Sequence, residues 1–122
     1  MQLQIHASYE RSGISIVRCR GRIIYGPEAE AFSEMCQAAF SRSCDLVVNL
    51  TDVTLIDNHG VGALIGLVTA ARPIGCDLCL VLPEKEKKVA EVLKLVKVYD
   101  QFRVYATEEE AIGSFQRRFA VA

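Results

Sequence analysis

The stretch Asp45-Leu46-Val47-Val48-Asn49-Leu50 leads through Thr51–Ile56 into Asp57-Asn58-His59-Gly60-Val61-Gly62-Ala63-Leu64, and its reading decides the fold. The first six residues are apolar and rich in β-branched side chains, which predicts a short strand buried on both faces. After a loop over 51–58, the apolar residues recur at helical spacing from about Gly60 to Arg72. Pro73 and Gly75 end that run. A buried strand feeding an apolar helix through a polar turn is the unit from which parallel sheets are built.

Working outward, Leu3, Ile5 and Ala7 alternate with Gln2, Gln4, His6 and Ser8, as in a half-buried strand. Arg11-Ser12-Gly13 supplies a turn, and Ile14–Arg20 a second strand, so the chain is expected to open with a hairpin. Its outer edge at residues 2–8 offers a surface for homodimerisation. Gly26-Pro27-Glu28 signals a helix start, followed by Ala29, Phe32, Met35, Cys36, Ala39 and Phe40 as a core stripe. Residues 77–82 read as another buried strand. Pro83-Glu84 opens a helix with Val89, Val92, Leu93 and Val96 on its apolar side. Its lysines are interleaved with Glu84, Glu86 and Glu91, so they describe a solvated surface rather than a phosphate-binding face. Phe102–Tyr105 forms a last strand. Thr107 and Glu110 then make a capping box ahead of a helix carrying Ala111, Ile112, Phe115 and Phe119. The order β-β-α-β-α-β-α-β-α implies an α/β fold in one domain over 1–122, with a mixed sheet, an N-terminal hairpin and about four helices.

Composition narrows the function. Fourteen basic and fifteen acidic residues leave a net charge of −1, which gives no support to nucleic-acid binding. No apolar run reaches the roughly 18 residues that span a bilayer, and the first residues lack a signal-peptide pattern. The expectation is a soluble, cytoplasmic protein without membrane insertion. Five cysteines, an odd number, do not suggest a disulfide framework. Cys76 and Cys79 form a C-x-x-C. On a strand their thiols point to opposite faces, so both are expected to be inert core.

Catalysis requires a nucleophile with a base, a metal site or a phosphate cradle. His6 and His59 lie in no nucleophile motif, and Gly60-x-Gly62 is too sparse for a phosphate loop. No cofactor, metal or catalytic residue is expected. The helix after Asn58 is more informative. Val61, Leu64, Ile65 and Val68 fall on one side, with Leu67 and Ala71 at its edge. Gly62, Ala63, Gly66, Thr69 and Ala70 fall on the other, with no charge before Arg72. An ordinary exposed helix carries Lys and Glu there. The small, uncharged side is therefore a candidate docking surface, together with Asp57, Asn58, His59, Gly60 and Val61.

The run from Asp45 to Leu64 resembles the heart of the STAS domain, the family of anti-sigma factor antagonists. The likeness extends to the Gly21 and Gly26 turn region, Gly75, the Val89–Val96 helix and the Thr107–Ala111 segment. The resemblance implies a non-enzymatic bacterial regulator of transcription that binds a kinase-type anti-sigma factor. In that family the motif reads Asp-Ser-Ser/Thr-Gly-Leu-Gly, and the partner kinase phosphorylates a serine at the helix N-terminus, which releases the complex. A helix N-terminus accommodates phosphate, and the added charge beside an aspartate disrupts an apolar contact. This chain keeps Asp57, Gly60 and Gly62, with Val61 for Leu, but has Asn58 and His59 in place of the hydroxyl pair. Serine phosphorylation cannot act at those positions, and Asn58 is expected to serve as a neutral N-cap. Two alternatives remain open: a STAS subunit of a transporter or lipid-transport complex, and a small-ligand or phosphotransfer protein using His59.

Overall fold

In a computed structural model, which describes residues 3–10, 13–83 and 88–120 with side chains as far as Phe115, five strands form one sheet in the order β1-β2-β3-β4-β5. The strands are β1 (Leu3–Tyr9), β2 (Ile14–Ile23), β3 (Asp45–Ile56), β4 (Asp77–Val81) and β5 (Arg103–Tyr105). β1 and β2 are the antiparallel hairpin, and every later neighbour is parallel. The helices α1 (Pro27–Arg42), α2 (Asn58–Ala71), α3 (Lys88–Leu95) and α4 (Glu108–Ala120) occupy the connections and the C-terminal end. This is the mixed α/β architecture expected from the sequence. The start of the third helix and the Arg11-Ser12 part of the hairpin turn lie outside the described residues.

Side-chain alternation explains the layering. On β3, Leu46, Val48 and Leu50 join Val17, Leu78 and Leu80 beneath α1, α2 and α3, with Phe32, Leu64, Val68 and Leu93 as helix partners. The opposite side chains, Ile14, Ile16, Val47, Cys79 and Val81, pack against Ala111 and Phe115 of α4. A strand covered on both faces must be apolar at every position, as residues 46–48 are. Because the strand order advances steadily in one direction, the crossover helices fall on one face and α4 closes the other.

Two expectations are corrected. The loop expected over 51–58 is mostly strand, since β3 runs to Ile56. β2 extends beside it through irregularities between Arg18 and Arg20 and between Gly21 and Arg22, ending with Ile23 opposite Ile56. The cysteines also differ from their expected inert role. β4 begins at Asp77, so Cys76 lies in the turn before it, where Gly75 adopts a left-handed conformation at φ 80°. There Cys76 is bonded to Cys44, with Cα atoms 5.0 Å apart, just ahead of the paired strand residues Asp45 and Asp77. Cys79 is buried in the core, as expected.

α4 is tied to the hairpin by charge. Glu108 accepts two hydrogen bonds from the Arg18 guanidinium, both 2.8 Å, and a third from Asn49 at 2.7 Å. Arg18 in turn donates to Ser8 on β1. The Thr107 hydroxyl accepts from the Glu110 N–H at 3.2 Å, which is the expected cap of this helix.

Candidate functional site

The turn between β3 and α2 is organised by Asp57. Its backbone is extended (φ −110°, ψ −174°), and one carboxylate oxygen accepts from the N–H groups of His59 and Gly60, each at 3.0 Å. The other oxygen accepts from the Tyr25 N–H at 2.8 Å. The Asp57 N–H donates to the Ile23 carbonyl, and its own carbonyl accepts from Val61. Desolvation works against the charge, but the three N–H donors, aided by nearby His59, hold the carboxyl below its ordinary range. Asp57 is therefore the N-cap, and Asn58 is the first helical residue rather than the cap. A carboxylate satisfies two orphan helix donors and complements the positive end of the dipole, so it displaces the amide from that position.

Asn58 and His59 are exposed on the first turn. The His59 ring lies 4.6 Å from the Tyr25 ring, tilted by 54°, and its Nδ1 is 3.7 Å from Asp57 Oδ2. Tyr25, 73% exposed, is an aromatic neighbour of the site that the sequence reading missed. Its signal is slight: one aromatic residue just before the Gly26-Pro27 helix start. Gly60 and Val61, by contrast, are buried. A methyl group on Gly60 would lie 2.6 Å from the Ile23 carbonyl oxygen and 2.7 Å from the Ile56 side chain. These two residues seat the helix on the ends of β2 and β3 and present nothing outward.

Beyond the first turn, α2 divides as its periodicity predicts. Val61, Leu64, Leu67, Val68 and Ala71 are buried; Gly62, Gly66, Thr69 and Ala70 are exposed; Ala63 is half-buried, as is Ile65, expected on the core side. A methyl group on Gly62 or Gly66 would meet no atom within 4 Å. Ser33, Gln37 and Phe40 of α1 face Gly62, Gly66 and Ala70 across a groove of about 480 Å³. Ile74, 76% exposed, and Cys76 line its far end. The opening is apolar and small-residued on the α2 side, with an amide and a hydroxyl on the α1 side. No charged side chain and no histidine among the described residues lines this groove. Among the described residues, no group of three His, Cys, Asp or Glu side chains is placed to hold a metal ion, and no helix is long and apolar enough to cross a membrane.

Comparison with known proteins agrees with this geometry. The family model described as the STAS domain matches residues 7–111, and the chain belongs to that family. No curated protein matches the sequence at a significant level. Among solved structures, an anti-sigma factor antagonist from Mycobacterium paratuberculosis superposes with a TM-score of 0.78 at 18% identity, covering 92% of each chain. The antagonist SpoIIAA in its unphosphorylated form gives 0.77 at 18% identity, covering 93% of this chain and 96% of its own. The murine anion transporter Slc26a9 gives 0.71 at 16% identity, with 95% of this chain matching 22% of the transporter. At these identities the structural likenesses establish the fold.

Proposed function

We propose that this chain is a regulatory protein-binding STAS domain that docks a kinase-type anti-sigma factor. The contact surface comprises Asp57, Asn58 and His59 together with the exposed side of α2, which bears Gly62, Ala63, Gly66, Thr69 and Ala70. The observation that carries the reading is the pair of exposed glycines. Each glycine inside a helix costs about 0.5–1 kcal/mol relative to alanine. Neither Gly62 nor Gly66 relieves any crowding within the fold. A partner backbone brought close to the helix gives these residues a reason that the domain alone does not. The fold shared with anti-sigma factor antagonists supports this class of partner. With Asn58 and His59 at the positions of the family's hydroxyl residues, the first turn stays without a phosphoserine. The neutral Asn58 side chain keeps it in a state resembling the unphosphorylated form.

The test is binding of candidate anti-sigma kinases to wild type, Gly66→Ala and Gly66→Arg, by calorimetry or pull-down. Gly66→Arg is expected to fold normally, because its Cβ would meet no atom within 4 Å on an exposed helix position, and to lose at least tenfold in affinity. Undiminished binding by that variant would remove α2 from the interface.

A second reading follows from the transporter likeness, in which the domain serves as a regulatory module of a transport complex. Co-purification of a permease in place of a kinase from the native cell would favour it.

A further inference from the structure

Cys44 and Cys76 differ from the other cysteines in two respects. They are bonded to each other, and they lie toward solvent, with Cys44 exposed and Cys76 partly so. Cys19, Cys36 and Cys79 are buried free thiols. Burial raises the pKa of all three, that of Cys19 to about 12, so little reactive thiolate forms on them near neutral pH. Thiol chemistry from solvent is thereby directed to one pair.

The position of that pair gives the bond a structural consequence. Cys44 follows the end of α1, and Cys76 lies between the end of α2 and β4. The Cys76 N–H donates to the Ala71 carbonyl at 3.0 Å, and the Gly75 N–H donates to the Arg72 carbonyl at 3.1 Å. A restraint on Cys76 therefore reaches the last turn of α2 through a single hydrogen bond. Ala71 and Cys76 both line the groove between α1 and α2. The disulfide thus fastens the α1 side of that groove to the α2 side at one end.

We propose that Cys44 and Cys76 form a reversible thiol–disulfide exchange site for small thiols and disulfides, whose covalent state sets the mobility of the Ala71–Cys76 end of the groove. In the oxidising direction, one cysteine thiolate attacks a small disulfide RS–SR. A mixed disulfide forms and RS⁻ leaves, taking up a proton. The second cysteine thiolate then attacks the cysteine sulfur of the mixed disulfide, forming the Cys44–Cys76 bond and expelling the second RS⁻. Two electrons and two protons pass from the cysteine pair to the small disulfide, and two RSH return them in the reverse direction. The inference concerns the groove's own covalent state and holds whichever partner docks there, so its failure leaves the proposed partner class untouched.

The full chain is equilibrated over a series of reduced-to-oxidised glutathione ratios, quenched by alkylation and mapped by peptide mass. Cys44 and Cys76 are expected to convert together in one reversible step, while Cys19, Cys36 and Cys79 stay unlabelled until the protein is denatured. Absence of a Cys44–Cys76 bond at every ratio, or a bond that reducing glutathione does not open, would overturn the exchange site. Amide hydrogen exchange of the two forms is then compared. Amides of residues 68–76 are expected to exchange roughly tenfold faster in the reduced form, with those of β3 unchanged. Cys44→Ser, which alters neither α2 nor the groove lining, should match the reduced form in both buffers. Equal rates in the two forms, or a Cys44→Ser variant that behaves as the oxidised protein, would overturn the mechanical coupling.

Discussion

A methyl group added at Gly60 and one added at Gly66 have opposite expected effects, although both residues lie on α2. At Gly60 it would enter the space of the Ile23 carbonyl and the Ile56 side chain. The carbonyl belongs to a paired strand and cannot retreat, so overpacking of this kind costs roughly 3 kcal/mol. At Gly66 the same atom meets open space, and the gain in helix propensity should stabilise the domain by about 0.5–1 kcal/mol. Urea melts of Gly60→Ala and Gly66→Ala are expected to move their midpoints in opposite directions. A neutral Gly60→Ala would mean that α2 can lift from the strand ends. In the sequence both glycines fall within the candidate docking surface, and nothing there separates a structural role from an exposed one. The two functions become distinct only when the ends of β2 and β3 are seen beneath Gly60. The same holds at Asp57 and Asn58. Either residue type caps a helix well; Asp57 takes the position with a charge that complements the helix dipole, and its second oxygen accepts from Tyr25, a partner distant in sequence.

At the scale of elements, the sequence was most readable where burial imposes a period. The two-sided burial of β3 and the one-sided stripe of α2 both follow from apolar spacing alone. It was least readable where pairing between strands overrides local composition. Thr51, Asp52 and Thr54 look like loop residues, yet β3 continues through them because β2 lies alongside as far as Ile23. The Cys44–Cys76 bond is similarly invisible in one dimension, since it depends on the neighbouring starts of β3 and β4. The end of α3 offers a test of local backbone chemistry. The Val98 N–H donates to the Leu93 carbonyl and the Lys97 N–H to the Lys94 carbonyl, a Schellman pair. Lys97 sits between them at φ 62°, a conformation that favours glycine. Lys97→Gly is therefore expected to raise stability by about 0.5–1 kcal/mol and the Tm by ~2–4 °C. An unchanged or lower Tm in a thermal melt would show that the lysine side chain offsets the backbone cost.

For the molecule as a whole, the Glu108 clamp joins α4 to β2 and β3, and through Arg18 to β1. The Arg18 hydrogen bonds hold the Glu108 carboxyl below its ordinary value of 4.5, with Asn49 assisting and burial opposing. A carboxyl whose folded pKa is depressed adds stability above its unfolded pKa. That contribution is lost as pH falls through the folded value. Stability should accordingly decline as the pH drops below about 4.5, with Asp57 contributing in the same direction. Glu108→Gln is expected to cost about 1–2 kcal/mol at neutral pH, a range reduced by the partial exposure of Arg18. It should also flatten the acid limb of a stability–pH curve. A variant with the wild-type acid limb would place the responsible carboxylates elsewhere.

Asp57, held by three N–H groups over a buried Gly60, carries a consequence for the rate of recognition. The first turn of α2 cannot shift without breaking hydrogen bonds to Tyr25 and the Ile23 carbonyl at once. A partner docking there, as proposed, would meet a turn that is already ordered by these hydrogen bonds, so little ordering entropy should be lost on contact. Association then belongs to the ordinary range for preformed patches, roughly 10⁵–10⁷ M⁻¹s⁻¹, in a single kinetic phase. Differences in affinity among related partners would accordingly be written in how long each complex lasts.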